Sequence, residues 1–202
     1  MKHHSFGELE AIAAGFLSKH GKGKYDGVSL LIEAIIEGSG FYIWAVPGLK
    51  EKAEAYVPVR GNKIYVDEDQ YRSATSFRSR FTLAEELAHI LIHRPLFAGM
   101  DTPEIIKFQK AIPDADYLRM ERNAKYLAGA LLMKKDVFEK RFNHFWQKQQ
   151  SRTPVPVFVF RYVVRRLSSD FFVSCHAAAI RSRHLGLVTQ AQLNELLEIS
   201  GW

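Results

Sequence analysis

Between Phe81 and His93 the chain reads Phe-Thr-Leu-Ala-Glu-Glu-Leu-Ala-His-Ile-Leu-Ile-His, with four ionisable side chains set among apolar ones. Leu83, Leu87, Ile90 and Leu91 fall at i, i+4, i+7 and i+8, the spacing of a buried helical stripe. Glu85, Glu86, His89 and His93 take the remaining faces of the same helix. A buried, unpaired carboxylate is too costly to persist, so these groups must line a cleft, pair with one another or hold a cation. Glu86 and His89 have the spacing of the second half of His-Glu-x-x-His, in which two imidazoles one turn apart grip a metal and the intervening glutamate activates its water. Glu85 stands where the first histidine of that motif would be. A carboxylate at i and an imidazole at i+4 share a helix face, and zinc accepts carboxylate oxygen as well as histidine nitrogen. The competing reading is structural, with Glu85 and Glu86 partly exposed and His89 and His93 hydrogen-bonded in the core.

The elements that must position these groups can be read from periodicity and punctuation. Leu9, Ile12, Ala13, Phe16 and Leu17 sit at helical spacing until the Gly-Lys-Gly-Lys run at 21–24. Asp26 is expected to open a second helix, with Val28, Leu31, Ile32, Ile35 and Ile36 on its apolar face, closed by Gly38-Ser39-Gly40. Three strands are expected next, Phe41 to Val46, Ala55 to Val59 and Lys63 to Val66, with Arg60-Gly61-Asn62 turning between the last two. They predict a small antiparallel sheet. The organising helix starts between Ser76 and Thr82 and ends at Arg94-Pro95, where proline forces the chain out. Thr102 reads as the N-cap of a short helix with Pro103 at its first position. A longer helix spans about Asp116 to Met133, with Met120, Ala124, Leu127, Ala128 and Leu131 on one face and Glu121 bordering it. Small residues at 124, 128 and 129 would let that helix approach another closely and bring Glu121 within reach of Glu85 and His89. Taken alone, Glu121 also reads as a surface carboxylate favouring its helix N-terminus.

Asp136 opens an amphipathic helix bearing Phe138, Phe142, Phe145 and Trp146, which reads as core packing. Ser151 to Pro156 reads as a linker. Three helix-like segments follow, Val157 to Leu167, Val173 to Leu187 and Thr189 to Ile199. Their short turns, with Arg161, Arg165, Arg166, Arg181, Arg183 and His184 on the first two, give a helix-turn-helix appearance and raise DNA binding as an alternative.

Composition bounds the possibilities. At 202 residues, 47% hydrophobic and 25% charged, the chain suits one globular domain over residues 1–202, with 157–199 as a C-terminal helical subregion. No run approaches the roughly 20 apolar residues of a membrane span, and Met-Lys-His-His-Ser-Phe-Gly-Glu lacks a signal-peptide core, so a cytoplasmic location away from membranes is expected. Cys175 is the only cysteine, which excludes an internal disulfide and a thiolate zinc cage. The net charge of +6 permits an anionic partner without requiring one.

The run Arg80 to His93 resembles the active-site helix of ImmA/IrrE metallopeptidases, R-F-T-L-A-H-E-L-G-H-L-L-L-H, with Glu85 in place of the first histidine and Ala88 in place of a glycine. Glu121 to Lys134 resembles that family's E-x-x-A-N-x-F-A-A-x-L-L-M-P, with Lys125 for asparagine and Lys134 for proline. Phe172-Val173-Ser174, through Arg181, to Leu185-Gly186-Leu187-Val188 is similar to its F-x-V-S…A…R…L-G-L-I segment, and the likeness covers about Val28 to Val188. It implies an α+β fold in which a three-stranded antiparallel sheet packs on a zincin-like helical domain. It also implies a metal-dependent endopeptidase that cuts a helix-turn-helix repressor of mobile-element or stress-response genes. On that resemblance Glu86 is the general base, and Glu85, His89 and Glu121 hold a divalent metal, zinc or else manganese. His93 is structural. The extra carboxylate weakens the metal's Lewis acidity, so slow hydrolysis is expected, with a catalytically inactive regulator-binding protein as the alternative. The resemblance also places the C-terminal helices inside the peptidase domain, which argues against nucleic-acid binding.

Overall fold

Two helices with small buried faces form the centre, and the remaining elements are arranged around them. The computed structural model describes residues 4–51, 53–73, 77–153 and 155–200. Helix α1 (Phe6–His20) begins at a capping box made by Ser5 and Glu8 and buries Leu9, Ala13 and Leu17. The chain then forms an antiparallel hairpin, β1 (Tyr25–Asp26) with β2 (Ser29–Leu30). Here the expected helix start at Asp26 is corrected: Gly27 takes a positive φ of 60° in the turn, and α2 (Ile32–Gly38) begins only after the hairpin. The hairpin is fixed from outside by Arg80, which donates to the Ser29 hydroxyl at 3.0 Å and the Leu30 carbonyl at 2.7 Å.

The class is α+β, as expected, but the three-stranded sheet is mixed. Its order is β3 (Tyr42–Val46), β5 (Lys63–Asp67), β4 (Ala55–Tyr56), with β3 parallel and β4 antiparallel to β5. The purely antiparallel expectation assumed that consecutive strands pair. Instead β5, whose Ile64 and Val66 are fully buried, takes the centre. The chain from β3 passes β5 to the far edge before Gly61, at φ 91°, helps turn it back. The strand expected to reach Val59 ends at Tyr56, and the Val57 N–H faces Glu86 instead. Asp67 caps the following α3 (Glu68–Arg72) by accepting from Gln70 N–H at 3.0 Å.

Helix α4 (Phe77–Ile92) buries Leu83, Leu87 and Ile90 as its periodicity predicts; Ser76, the earliest expected start, lies outside the described residues. A tight turn at Arg94–Phe97 follows. Helix α5 (Thr102–Lys110) is capped by Asp101 and not by Thr102, because Asp101 and Glu104 form a reciprocal capping box. Helix α6 (Asp114–Leu132) packs along α4, with Ala84 and Ala88 of one and Ala124 and Ala128 of the other fully buried. Next come α7 (Lys135–Gln150), α8 (Pro156–Phe171), α9 (Cys175–His184) and α10 (Gln190–Ser200). Helices α7 and α8 pack against each other, so the expected linker at 151–156 is a turn inside one packed unit; Pro154 lies outside the described residues. Among the described residues, no helix is long and apolar enough to cross a membrane.

Candidate metal centre

The close approach of α4 and α6 sets the site. Glu85 and His89, one turn apart on α4, meet Glu121 from α6, and one donor atom from each lies within 4.8 Å of the others. His89 Nε2 is 3.6 Å from Glu121 Oε1, close to the roughly 3.3 Å that separates two donors on one tetrahedral zinc. The other ring nitrogen of His89 is engaged: its Nδ1 is 2.9 Å from Nδ1 of His93, which is only 6% exposed. If His89 donates in that contact, its Nε2 presents a lone pair towards the Glu121 carboxylate. In that tautomer two acceptors face each other, an arrangement that a cation between them would satisfy. His93, one turn beyond His89, lines the same small cavity as His89 and Glu121.

The structure therefore brings together the three side chains that the sequence singled out as ligands, and Glu86 lies beside them. The sequence profile of the IrrE N-terminal-like domain matches residues 61–183, a segment that runs from the sheet turn through α4 and α6 to α9. The chain belongs to that family. A solved Mycobacterium tuberculosis transcriptional regulator resembles it in fold, with a TM-score of 0.58 and 15% identity over 88% of this chain. This IrrE N-terminal-like chain spans 46% of that regulator's length. No curated protein matches it.

Burial dominates the electrostatics of this family member's site. The Glu86 carboxyl is pushed up to about 8 by burial, then by Glu85 and Glu121, against a lowering hydrogen bond from Val57 N–H. Glu85 is raised by burial and by Glu121, with Lys125 pulling it back. His89 is lowered because burial outweighs the attraction of Glu121 at 3.6 Å. His93, buried next to His89, falls to about 3 and is neutral. Every one of these shifts disfavours charge in the absence of a cation. A divalent cation would reverse the trend by stabilising the carboxylates and the neutral imidazole together. One imidazole nitrogen with two carboxylate oxygens is a donor set that zinc accepts and that manganese also suits.

Several residues around the site were not assigned a role from sequence. Arg80 is 9% exposed and ties the start of α4 to the β1–β2 hairpin and, through its Nε at 3.2 Å, to the carbonyl of Phe172. Phe172 itself takes a left-handed φ of 51° at the end of α8 and packs edge-on against Phe77 of α4. Lys125, one turn beyond Glu121, acts on Glu85 and His89. Tyr117, one turn before Glu121, has its phenol raised first by that carboxylate. The i, i+4 spacing about Glu121 was a usable signal for Tyr117 and Lys125, whereas the Val57 contact depends on where the edge strand ends.

Proposed function

We propose that this IrrE N-terminal-like domain is a metal-dependent endopeptidase in the cytoplasm that acts on a helix-turn-helix transcriptional regulator. Glu85, His89 and Glu121 hold the cation, zinc foremost and manganese as the alternative, and Glu86 is the general base. The observation that carries this reading is the meeting of the three donors with Glu86 on the intervening turn of α4. When bound, the cation supplies Lewis acidity that polarises the scissile carbonyl and acidifies the attacking water. Glu86 takes the water's proton and returns it to the leaving amide nitrogen, held in place by the Val57 N–H. His93 fixes the orientation of His89, and the apolar stripe of α4 anchors the helix in the core. The regulator as substrate rests on the resemblance of the two helical motifs to peptidases that cut such repressors.

Glu85 favours a second reading, an inactive family member that binds a regulator without cutting it. Together with Glu121 it cancels the dication's formal charge and so weakens the drive to deprotonate water. The substitution Glu85→His separates the two. Metal content after purification without chelator and cleavage of a bound helix-turn-helix regulator are measured for wild type, Glu85→His and Glu86→Gln. The expected result is higher zinc occupancy and faster cleavage for Glu85→His, and retained metal with cleavage lost by about a hundredfold or more for Glu86→Gln. Stoichiometric zinc in Glu85→His with no cleavage of a regulator that it binds overturns the peptidase reading in favour of the binding one.

A further inference from the structure

Glu121 lies between two cavities. One, of about 490 Å³, opens between α6 and α9; the other, of about 230 Å³, is lined by Val57, Val59, His89, Tyr117 and Glu121. A chain running from one to the other passes Glu121, which lines both, and His89, which lines the smaller. The larger cavity falls in the size range of ligand sites, about 300–1,000 Å³, with room for a bulky side chain and the main chain attached to it. Its walls are largely apolar, formed by Phe81, Leu118, Tyr126, Met133, Ala177 and Ile180. Leu118 is 67% exposed, an apolar group at the mouth that a ligand would cover.

The charge around this cavity is one-sided. Arg122 and Lys125 line it, and neither makes an ion pair among the described residues. Arg181 also lines it, but its guanidinium is spent on Glu10. Glu121 is the only carboxylate in the lining. The walls thus favour an apolar side chain and the rim favours an anion beside it.

We propose that this cavity is a recognition subsite for an extended polypeptide in which a large apolar side chain neighbours a carboxylate. The apolar side chain fills the space under Leu118 and Ile180, and the carboxylate pairs with Arg122 and Lys125. The extended form follows from the second cavity across Glu121. The proposal deepens the peptidase reading and rests on it for the nature of the occupant.

The test uses binding, so that it does not depend on turnover. Fluorescein-labelled peptides on a Gly-Ser scaffold carry Phe-Glu, Phe-Gln or Ala-Glu, and their anisotropy is titrated with the Glu86→Gln protein. Phe-Glu is expected to bind about tenfold tighter than Ala-Glu and several-fold tighter than Phe-Gln. Arg122→Ser combined with Lys125→Ser, both at exposed positions, is expected to erase the preference for Glu over Gln while keeping Phe over Ala. Ala177→Trp, which fills the cavity, is expected to erase Phe over Ala, and the surface change Leu118→Ser should weaken it. Equal binding of the three peptides, or preferences that survive all of these variants, overturns the proposal. So does phenylacetate binding as tightly as the Phe-Glu peptide, which would make the site one for a small acid. Cleavage by the wild type without these preferences removes the subsite and leaves the peptidase. The preferences without cleavage of any peptide or regulator keep the subsite and remove the peptidase.

Discussion

Glu86 is the residue on which burial and two like charges act together. Its folded pKa of about 8 lies above the ordinary 4.5, so between those values the folded, cation-free protein holds a proton that the unfolded chain has released. The unfolded state then binds fewer protons, and stability falls as pH rises through that window. The cation-free protein should therefore melt at a lower temperature near pH 9 than near pH 6, and Glu86→Gln, which carries no proton to lose, should flatten the dependence. Glu85 and His89 titrate in both proteins, so the difference between wild type and variant reports Glu86 together with its coupling to Glu85 and Glu121. Thermal melts in chelator at the two pH values check this; a difference that does not change with pH refutes the assignment. The types and spacing of Glu85, Glu86, His89 and Glu121 made them legible in sequence, because ionisable groups on an apolar helix need a reason to be there. The Val57 N–H was not legible, since that contact crosses between elements whose relative placement no spacing encodes.

At the scale of elements, the site depends on how closely α4 and α6 approach. Ala84, Ala88, Ala124 and Ala128 are all fully buried on the packed helices, and side chains this small let two backbones come near the short end of the usual 8–10 Å helix separation. Enlarging one of them should act on stability and on the site together. Ala128→Leu is expected to lower stability by about 1–3 kcal/mol through overpacking and to weaken zinc binding by moving Glu121 away from His89. Urea unfolding and a zinc titration of the same preparation check both. A destabilised protein with unchanged zinc affinity would separate the seam from the site. Helix periodicity and the small residues at 124 and 128 carried this arrangement in the sequence. The sheet was harder to read: the alternation of Ile64 and Val66 announces a strand, but only the whole fold decides that β5 lies between β3 and β4 and makes one neighbour parallel.

Across the whole molecule, Arg181 joins parts of the chain that sequence keeps far apart. It is 1% exposed, pairs through both guanidinium Nη atoms with the two carboxylate oxygens of Glu10 on α1, and donates to the Met133 carbonyl at 3.1 and 3.0 Å. Tyr126 adds a hydrogen bond to Glu10 at 2.8 Å, and Phe6 stacks on the Tyr126 ring at 4.3 Å. In sequence Arg181 reads as one member of a basic cluster on a helix-turn-helix; the expectation that these basic residues are partly paired with acidic neighbours holds for Arg181, but its partner, Glu10 on α1, is not legible from spacing. A guanidinium held this way cannot reach phosphate without breaking the clamp, so the DNA-binding appearance of the segment loses its central residue. Burial alone would raise the Glu10 carboxyl, and the Arg181 guanidinium outweighs that and holds it low. Removing the arginine strands a half-buried carboxylate and an unanswered carbonyl. Arg181→Ala should therefore destabilise the protein by about 3–5 kcal/mol, the range for breaking a buried pair from one side, with the loss largest above the ordinary carboxylate pKa, where Glu10 is charged. Glu10→Gln combined with Arg181→Met, which removes both charges, should recover part of that loss. Urea unfolding checks the stabilities, and titration with duplex DNA at two salt concentrations checks the alternative. If Arg181→Ala leaves stability unchanged and abolishes a steeply salt-dependent affinity for duplex, the clamp is incidental and the DNA-binding reading returns.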